Sequence, residues 1–274
     1  METLTNNIDT SKELDLGLTC VIIPTYNNVG TVKAVVDDVW ERTGQVVIVN
    51  DGSTDGTTEI LKPYERGGVE IISYRRNRGK GYALRKGFYC AESFYRGAIT
   101  LDADGQHSVE EIAEFLPLIK EHPQAVIVGQ RIIEGDMPAK NTFANSFSNF
   151  WFTVFTWRRL RDTQNGYRYY PLFAMSEMYP FCRGYAAEFE LLVRCAWRGF
   201  RFITVPVHVY YPPKDKRVSH FRPVVDFLRI TALNIILIPL AIVYGYPSLL
   251  YYRLYPKKPR LTLQEKALAR KNKS

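Results

Sequence analysis

Cysteine is scarce in this 274-residue chain: Cys20, Cys90, Cys182 and Cys195 lie far apart and form no C-x-x-C pair. That spacing excludes a zinc ribbon and a disulfide-stapled scaffold, and it suits a reducing cytoplasm. Histidine is equally rare, and neither His107 nor His208 has further ligands at metal-site spacing, so both are expected to be structural. The first 17 residues lack an apolar core, which predicts a mobile polar leader over 1–17 and no signal peptide. No glycine-rich phosphate loop with basic residues follows near the N-terminus, where the chain reads PTYNN; this argues against a nucleotidyltransferase. With 46 % apolar and 23 % charged residues, the composition excludes collagen-like, wholly disordered and multi-span membrane classes. The length suits one core of catalytic size plus an appendage.

The net charge of +8 is unevenly spread. From Pro212 to Ser274 there are 13 Lys and Arg against 3 Asp and Glu, while the rest of the chain holds 23 basic and 25 acidic residues. Nucleic-acid binding would want basic residues over a folded face with aromatics between them, so it is not expected. The basic residues instead flank an uncharged run, Ile230–Leu250, long enough for about one membrane span. Basic clusters on both sides favour anionic headgroups. Pro239 and the Gly245-Tyr246-Pro247 break argue against one straight helix. Residues 223–253 are therefore expected to form a re-entrant or interfacial helical pair that returns both flanks, including a basic tail at 254–274, to the cytoplasmic face of the membrane. The alternative is a buried core helix.

From Thr19 onward, strand and helix patterns alternate. Cys20–Ile23 is a short continuous apolar run, as in a strand buried on both faces. Val32, Val35, Val36, Val39 and Trp40 then mark one stripe of a helix. Strands are predicted at 46–49, 69–73, 98–101 and 125–128, with helices near 57–61 and 81–95. A capping box of Ser108 with Glu111 is expected to start a helix toward Lys120. The fold class is α/β, with a Rossmann-like, mainly parallel sheet flanked by helices. In such sheets ligands bind beyond the C-terminal strand ends. Three polar clusters stand there: Pro24–Asn27, Asp51–Ser53 and Asp102–Asp104.

The Asp102-Ala103-Asp104 element leaves a strand whose side chains alternate, so both carboxylates can face one way. Two close like charges need a cation or donors, and hard oxygen ligands suit Mg²⁺ or Mn²⁺. On its own a D-x-D is as readily a solvated acidic turn. Asp51 by itself could cap the next turn.

Five strings occur in order: VIIPTYNN, VIVNDGSTDGT, RNRGKGYALRKGF, LDADGQH and VGQR. Together they resemble glycosyltransferase family 2, and within it the polyprenyl-phosphate (dolichol-phosphate mannosyltransferase-like) branch, over roughly Thr19 to Pro223. The resemblance implies a GT-A domain over 18–222, a UDP- or GDP-linked sugar donor, a divalent cation and inversion in one step. It places Pro24, Tyr26 and Asp51 at the base and ribose, with Asn28 standing where the family usually has Glu. It places Asp102 beneath the ribose or sugar, Asp104 and Gln106 at the metal and diphosphate, Lys80 near the donor phosphates and Arg131 against phosphate. Asp104, with Asp102, is the implied metal site.

On the acceptor side, DTQNGYR (Asp162–Arg168) resembles the family's D-x-x-x-G-[FY]-R loop, and Glu188–Leu192 its E-x-E-L-L helix start. Glu188 stands where other branches hold a catalytic base. Gln164, Arg168 and His220, with Arg131, are the implied acceptor contacts, and Arg217 and His220 would cover the diphosphate. Read alone, Glu188 and Glu190 could complement a helix N-terminus and Arg168 could form a surface ion pair. The aromatic helix-like stretch Asn141–Leu160 fits a membrane interface, or core packing for half its rings. The expectation is transfer of sugar to a polyprenyl phosphate or similar lipid. A hydroxyl acceptor, with Glu188 or Asp162 as base, is the rival; an inactive membrane scaffold on the same fold is the non-enzyme alternative.

Overall fold

The computed structural model describes residues 13–132, 139–175, 178, 185–209 and 223–255. Seven strands form one sheet: β1 (Thr19–Thr25), β2 (Val46–Asn50), β3 (Glu70–Ser73), β4 (Gly97–Thr100), β5 (Val126–Arg131), β6 (Arg168–Pro171) and β7 (Phe202–Val207). Their order is β3-β2-β1-β4-β6-β5-β7, and every neighbouring pair is parallel except those made by β6. β1 lies between β2 and β4, so the chain winds away from it in both directions and opens a crevice at its C-terminal end. Because β6 runs the other way, the loop that precedes it reaches the same edge.

Alternation along the strands divides the core. Val21, Ile23, Val46, Ile48 and Ile99 face one layer with α1 (Val32–Thr43) and α4 (Ile112–Glu121). Cys20, Ile22, Val47, Val49 and Ala98 face the other, with α3 (Lys80–Ala91), α5 (Ala139–Thr156), α6 (Tyr185–Trp197) and α7 (Pro223–Leu240). The expected stripe of α1 is buried at Val32, Val35, Val36 and Val39. The short helix after β2 is α2, Thr57–Arg66.

Two local expectations are corrected. Ser108 and Glu111 form no capping box: the Ser108 hydroxyl accepts the Glu110 N–H at 3.3 Å, and α4 begins only at Ile112. Glu111 is drawn instead to the end of β7, where it accepts the His208 N–H at 2.5 Å and meets His208 Nδ1 at 2.9 Å. The C-terminal apolar segment is not a pair with a return. α7, a π-helical turn at Ala241–Gly245 and α8 (Tyr246–Leu254) follow one another without a break. Pro247 follows directly on the π-helical turn, whose wider winding accommodates the irregularity at Gly245 and Pro247.

Leu228–Leu254 is, among the described residues, the one helix long and apolar enough to cross a membrane. It is also amphiphilic in its contacts. Ile230, Leu233, Leu237, Ala241 and Leu249 are buried in the same core as α5 and α6, while Ile235, Ile242, Val243 and Leu254 are exposed. Of the aromatic stretch, Phe152 and Phe155 are buried, Phe147 and Trp151 partly so, and Phe150 and Trp157 exposed.

The helix is fastened by close approach. Gly245 lies flat against the Trp197 indole, leaving no room for a Cβ, and that indole donates to the Phe155 carbonyl at 2.8 Å. Gly245→Ala is expected to destabilise the protein by about 1–3 kcal/mol through overpacking. A denaturant midpoint shift with unchanged nucleotide affinity checks it.

Candidate active site

Most of the residues singled out in the sequence converge at the C-terminal edge of the sheet. β4 ends at Thr100, and Leu101 carries the chain into Asp102. Lys80, the first residue of α3, places Nζ 2.6 Å from Asp102 Oδ1 and 3.0 Å from Glu188 Oε2, in the first turn of α6. One ammonium thus joins three elements. Gly166 stands against this pair so closely that a Cβ there would meet Asp102 Oδ2 at 2.8 Å and Lys80 Nζ at 2.9 Å. Burial, the largest single influence, would raise the Asp102 carboxyl; the charge and hydrogen bond of Lys80, with the charges of His107 and Arg168, together outweigh it and hold the group below its ordinary range. Lys80, expected beside donor phosphates, is in this state engaged by carboxylates.

Arg131, at the end of β5, forms a two-pronged pair with buried Asp162: Nε to Oδ2 at 2.6 Å and Nη2 to Oδ1 at 2.9 Å. The same carboxylate accepts the N–H groups of Gln164 and Asn165. The 162–167 loop is tied down further by Asn165 Nδ2 to the Gly129 carbonyl at 2.9 Å and Thr100 Oγ1 to the Gly166 carbonyl at 2.7 Å. Gln164 is partly exposed.

Arg168 departs from both of its expected roles. It is fully buried, neither on the surface nor open to an acceptor. Its guanidinium donates to the Tyr170 hydroxyl, the Glu188 carbonyl and the Thr163 carbonyl at 3.0, 3.2 and 2.9 Å. It therefore supports the 162–167 loop and the start of α6 from beneath. Arg217 and His220 lie outside the described residues.

On the donor side, Pro24 is buried in β1 and Tyr26 is partly exposed just beyond it. Asn28 is buried; its side-chain oxygen accepts from Thr25 Oγ1 and the Tyr26 N–H, which shapes the loop. Asp51 accepts the N–H groups of Arg78 and Gly79 at 2.7 and 2.8 Å, so it holds the RNRGKG segment rather than capping the next turn.

Asp104 is different. Its Oδ1 accepts the Gln106 N–H at 3.0 Å, and burial, then the like charge of Asp102, pushes its carboxyl up to about 6. No group of three or more His, Cys, Asp or Glu gathers at metal spacing among the described residues. A Mg²⁺ or Mn²⁺ held by one or two carboxylates and donor phosphate oxygens needs no larger set, and an under-compensated Asp104 fits such an ion. His107, set aside in the sequence, belongs to this neighbourhood. Its ring lies 5.0 Å from that of Tyr167, its Nδ1 is buried without a partner, and burial lowers it to about 4. The charges of Asp102, Lys80, Arg131 and Asp162 all act on it. Its signal was adjacency: it directly follows Gln106 in LDADGQH.

The Glycosyl transferase family 2 model matches residues 20–187. The chain belongs to this family. It is 30 % identical over 213 residues to the glycosyltransferase AglJ of Haloferax volcanii, covering 76 % of this chain and 67 % of that one. Against the dolichyl-phosphate beta-glucosyltransferase of Saccharomyces cerevisiae it is 28 % identical, covering 68 % and 65 %. Against the polyprenol monophosphomannose synthase of Mycolicibacterium smegmatis it is 28 % identical, covering 69 % and 76 %. The chain therefore spans about two thirds of the length of the first two. Among solved structures, glucosyl-3-phosphoglycerate synthase from Mycobacterium tuberculosis in complex with phosphoglyceric acid aligns with TM-score 0.60 at 18 % identity, covering 80 % and 79 %. The same enzyme in complex with Mn²⁺ and UDP-glucose aligns with TM-score 0.54. These structures share the fold of this family 2 domain.

Two predictions follow from the charges. Lys80→Met leaves buried Glu188 and half-buried Asp102 without their cation and is expected to cost about 3–5 kcal/mol, against far less for Glu188→Gln; denaturant unfolding of both variants checks it. For Asp104 the folded carboxyl titrates above its unfolded value. Its contribution is thus favourable at low pH and lost as pH rises through about 6. In metal-free protein, Asp104→Asn should raise the melting midpoint at pH 8 and leave it unchanged near pH 4.

Proposed function

We propose that this chain is a metal-dependent, inverting transferase that moves a sugar from a UDP- or GDP-linked donor to a polyprenyl phosphate or similar lipid phosphate. The observation that carries the acceptor class is the state of the two candidate bases. Glu188 is engaged by Lys80 and Asp162 by Arg131, so each carboxylate already faces a cation. A hydroxyl acceptor would need one of them to take its proton. A phosphate monoester has a second pKa near about 6 and is largely dianionic at neutral pH, so it needs orientation and not deprotonation. The yeast and mycobacterial relatives, named for dolichyl phosphate and polyprenol, support the same reading.

In the reaction an acceptor phosphate oxygen forms the new bond to the anomeric carbon. The bond from that carbon to the donor diphosphate breaks, and its electron pair leaves with the nucleoside diphosphate. A divalent ion at Asp104 and Asp102 would supply charge compensation for that leaving group. The crystals of the Mycobacterium tuberculosis enzyme with Mn²⁺ and UDP-glucose support a cation of this type. Tyr26, Asp51 and the Asn28-shaped loop line the donor side; Gln164, in the loop that Arg168 supports, lies on the acceptor side. Arg131, paired with Asp162, borders the acceptor phosphate. Together with the exposed apolar face of α7 and α8, the lipid acceptor argues for work at the cytoplasmic face of a membrane.

The test is a panel of UDP- and GDP-sugars with membranes and Mg²⁺ or Mn²⁺, scored for nucleoside diphosphate release and lipid-extractable sugar. Asp104→Asn is expected to abolish metal-dependent turnover, and full activity would remove the metal assignment. Glu188→Gln is expected to keep activity within about tenfold; a loss of about 10²–10⁴-fold, with the fold intact, would favour the hydroxyl acceptor. No sugar transfer from any donor would favour the inactive scaffold.

A further inference from the structure

At the opposite edge of the sheet from the active site, where β5 and β7 begin, there is a cavity of about 310 Å³. Phe173 and Phe200, with ring centroids 5.3 Å apart, form part of its wall, and Arg198, Arg201 and His122 are among its polar lining. The acid in the lining, Glu121, is paired with His122 at 3.2 Å. A third guanidinium, Arg158, borders it by donating to the Phe200 carbonyl at 2.8 Å. Arginine near helix ends has a structural use of its own, in meeting the carbonyls left over by the last turn of α4 and α6. That use does not explain what stands beside it.

Gly199, also in the lining, packs directly under Tyr252 of α8. The cavity is thus next to the end of the apolar helix, where Tyr251, Leu254 and Tyr255 are exposed. Trp157 is 58 % exposed and stacks on Tyr246 at 4.8 Å in the same region. Exposed aromatics with an apolar body and a polar tip, beside guanidinium groups, are what a bilayer interface accommodates. The volume is that of a small-ligand site. We infer that this cavity is a second lipid site, distinct from the catalytic crevice, that takes the phosphate headgroup of an anionic membrane lipid on Arg198 and Arg201 while the end of α8 rests among the acyl chains.

The inference rests on the membrane reading above and deepens it. It is tested by flotation of the full chain with vesicles of phosphatidylcholine alone or mixed with phosphatidylglycerol. Arg198→Gln with Arg201→Gln is expected to weaken binding to the mixed vesicles at least about tenfold, and exposed Arg201→Gln alone roughly fivefold. Binding to phosphatidylcholine should not change. Lys62→Gln with Arg66→Gln removes the same charge from exposed α2, away from the cavity, and should cost less than about threefold. Equal loss in the two double variants would reduce the effect to net charge and overturn the site. Release of the protein from mixed vesicles by millimolar glycerol 3-phosphate, with no added salt effect, would assign the cavity to a soluble anion and overturn the lipid assignment. Sugar transfer to lipid phosphate in detergent, read in parallel, separates the two readings: its failure with flotation unchanged sinks the acceptor proposal and leaves this site standing.

Discussion

The candidate site is organised around one ammonium group. Lys80 lies within 4 Å of both Asp102 and Glu188, and through them it joins the start of α3, the end of β4 and the first turn of α6. Taking a carboxylate as buried as Glu188 out of water is costly without a partner, and a lone cation serving two acids makes each bond contingent on the other. The close pass of Gly166 is part of the same arrangement, since any side chain there would meet both the ammonium and the Asp102 carboxylate. Arg168, below, ties the Glu188 backbone to the Thr163 carbonyl, so α6 and the 162–167 loop share one frame.

That frame sorts the acids by what compensates them. Asp102 and Glu188 have Lys80, Asp162 has Arg131, and Asp51 has two backbone N–H groups. Asp104 has one backbone N–H and the repulsion of Asp102, and its carboxyl is driven upward. A protein cation already present on Asp102 limits how much a divalent ion could draw from that residue. Most of its remaining ligands would then come from donor phosphate oxygens, which couples ion and nucleotide binding. The lack of a larger acidic cluster among the described residues is consistent with this division.

The strand ends were legible because a buried parallel strand is a short apolar run, and the polar residues that stop it are those the crevice needs. Asp51, Asp102 and Asp104 are read in that way, without any knowledge of their partners. The partners were not legible, since Lys80 to Glu188 and Arg131 to Asp162 are contacts between distant segments that only the winding of the sheet brings together. Arg168 looked like a surface charge because nothing local signals that β6 is central and buried. Ser108 and Glu111 had the right spacing for a capping box, but the end of β7 competes for the same carboxylate. Pro239 and Gly245 looked like breaks, yet a π-helical turn and the Trp197 surface accommodate them.

The unbroken run from α7 to α8 constrains any membrane reading more than its apolar composition does. Its buried side contacts the domain from Ile230 to Tyr252, nearly the whole apolar length, which at about 1.5 Å per residue is comparable to a bilayer core. A helix crossing a membrane would have to free that side or carry α5 and α6 into lipid with it, including Glu190 and Arg194 of α6. Lying along a membrane surface it would need neither: the exposed Ile235, Ile242, Val243 and Leu254 would face the lipid while the packed side stays on the protein. α6 runs from the candidate site at Glu188 toward the cavity at Arg198, and Tyr252 of α8 lies against Gly199 beside that cavity, so a helix lying on lipid would bring the cavity to the same surface.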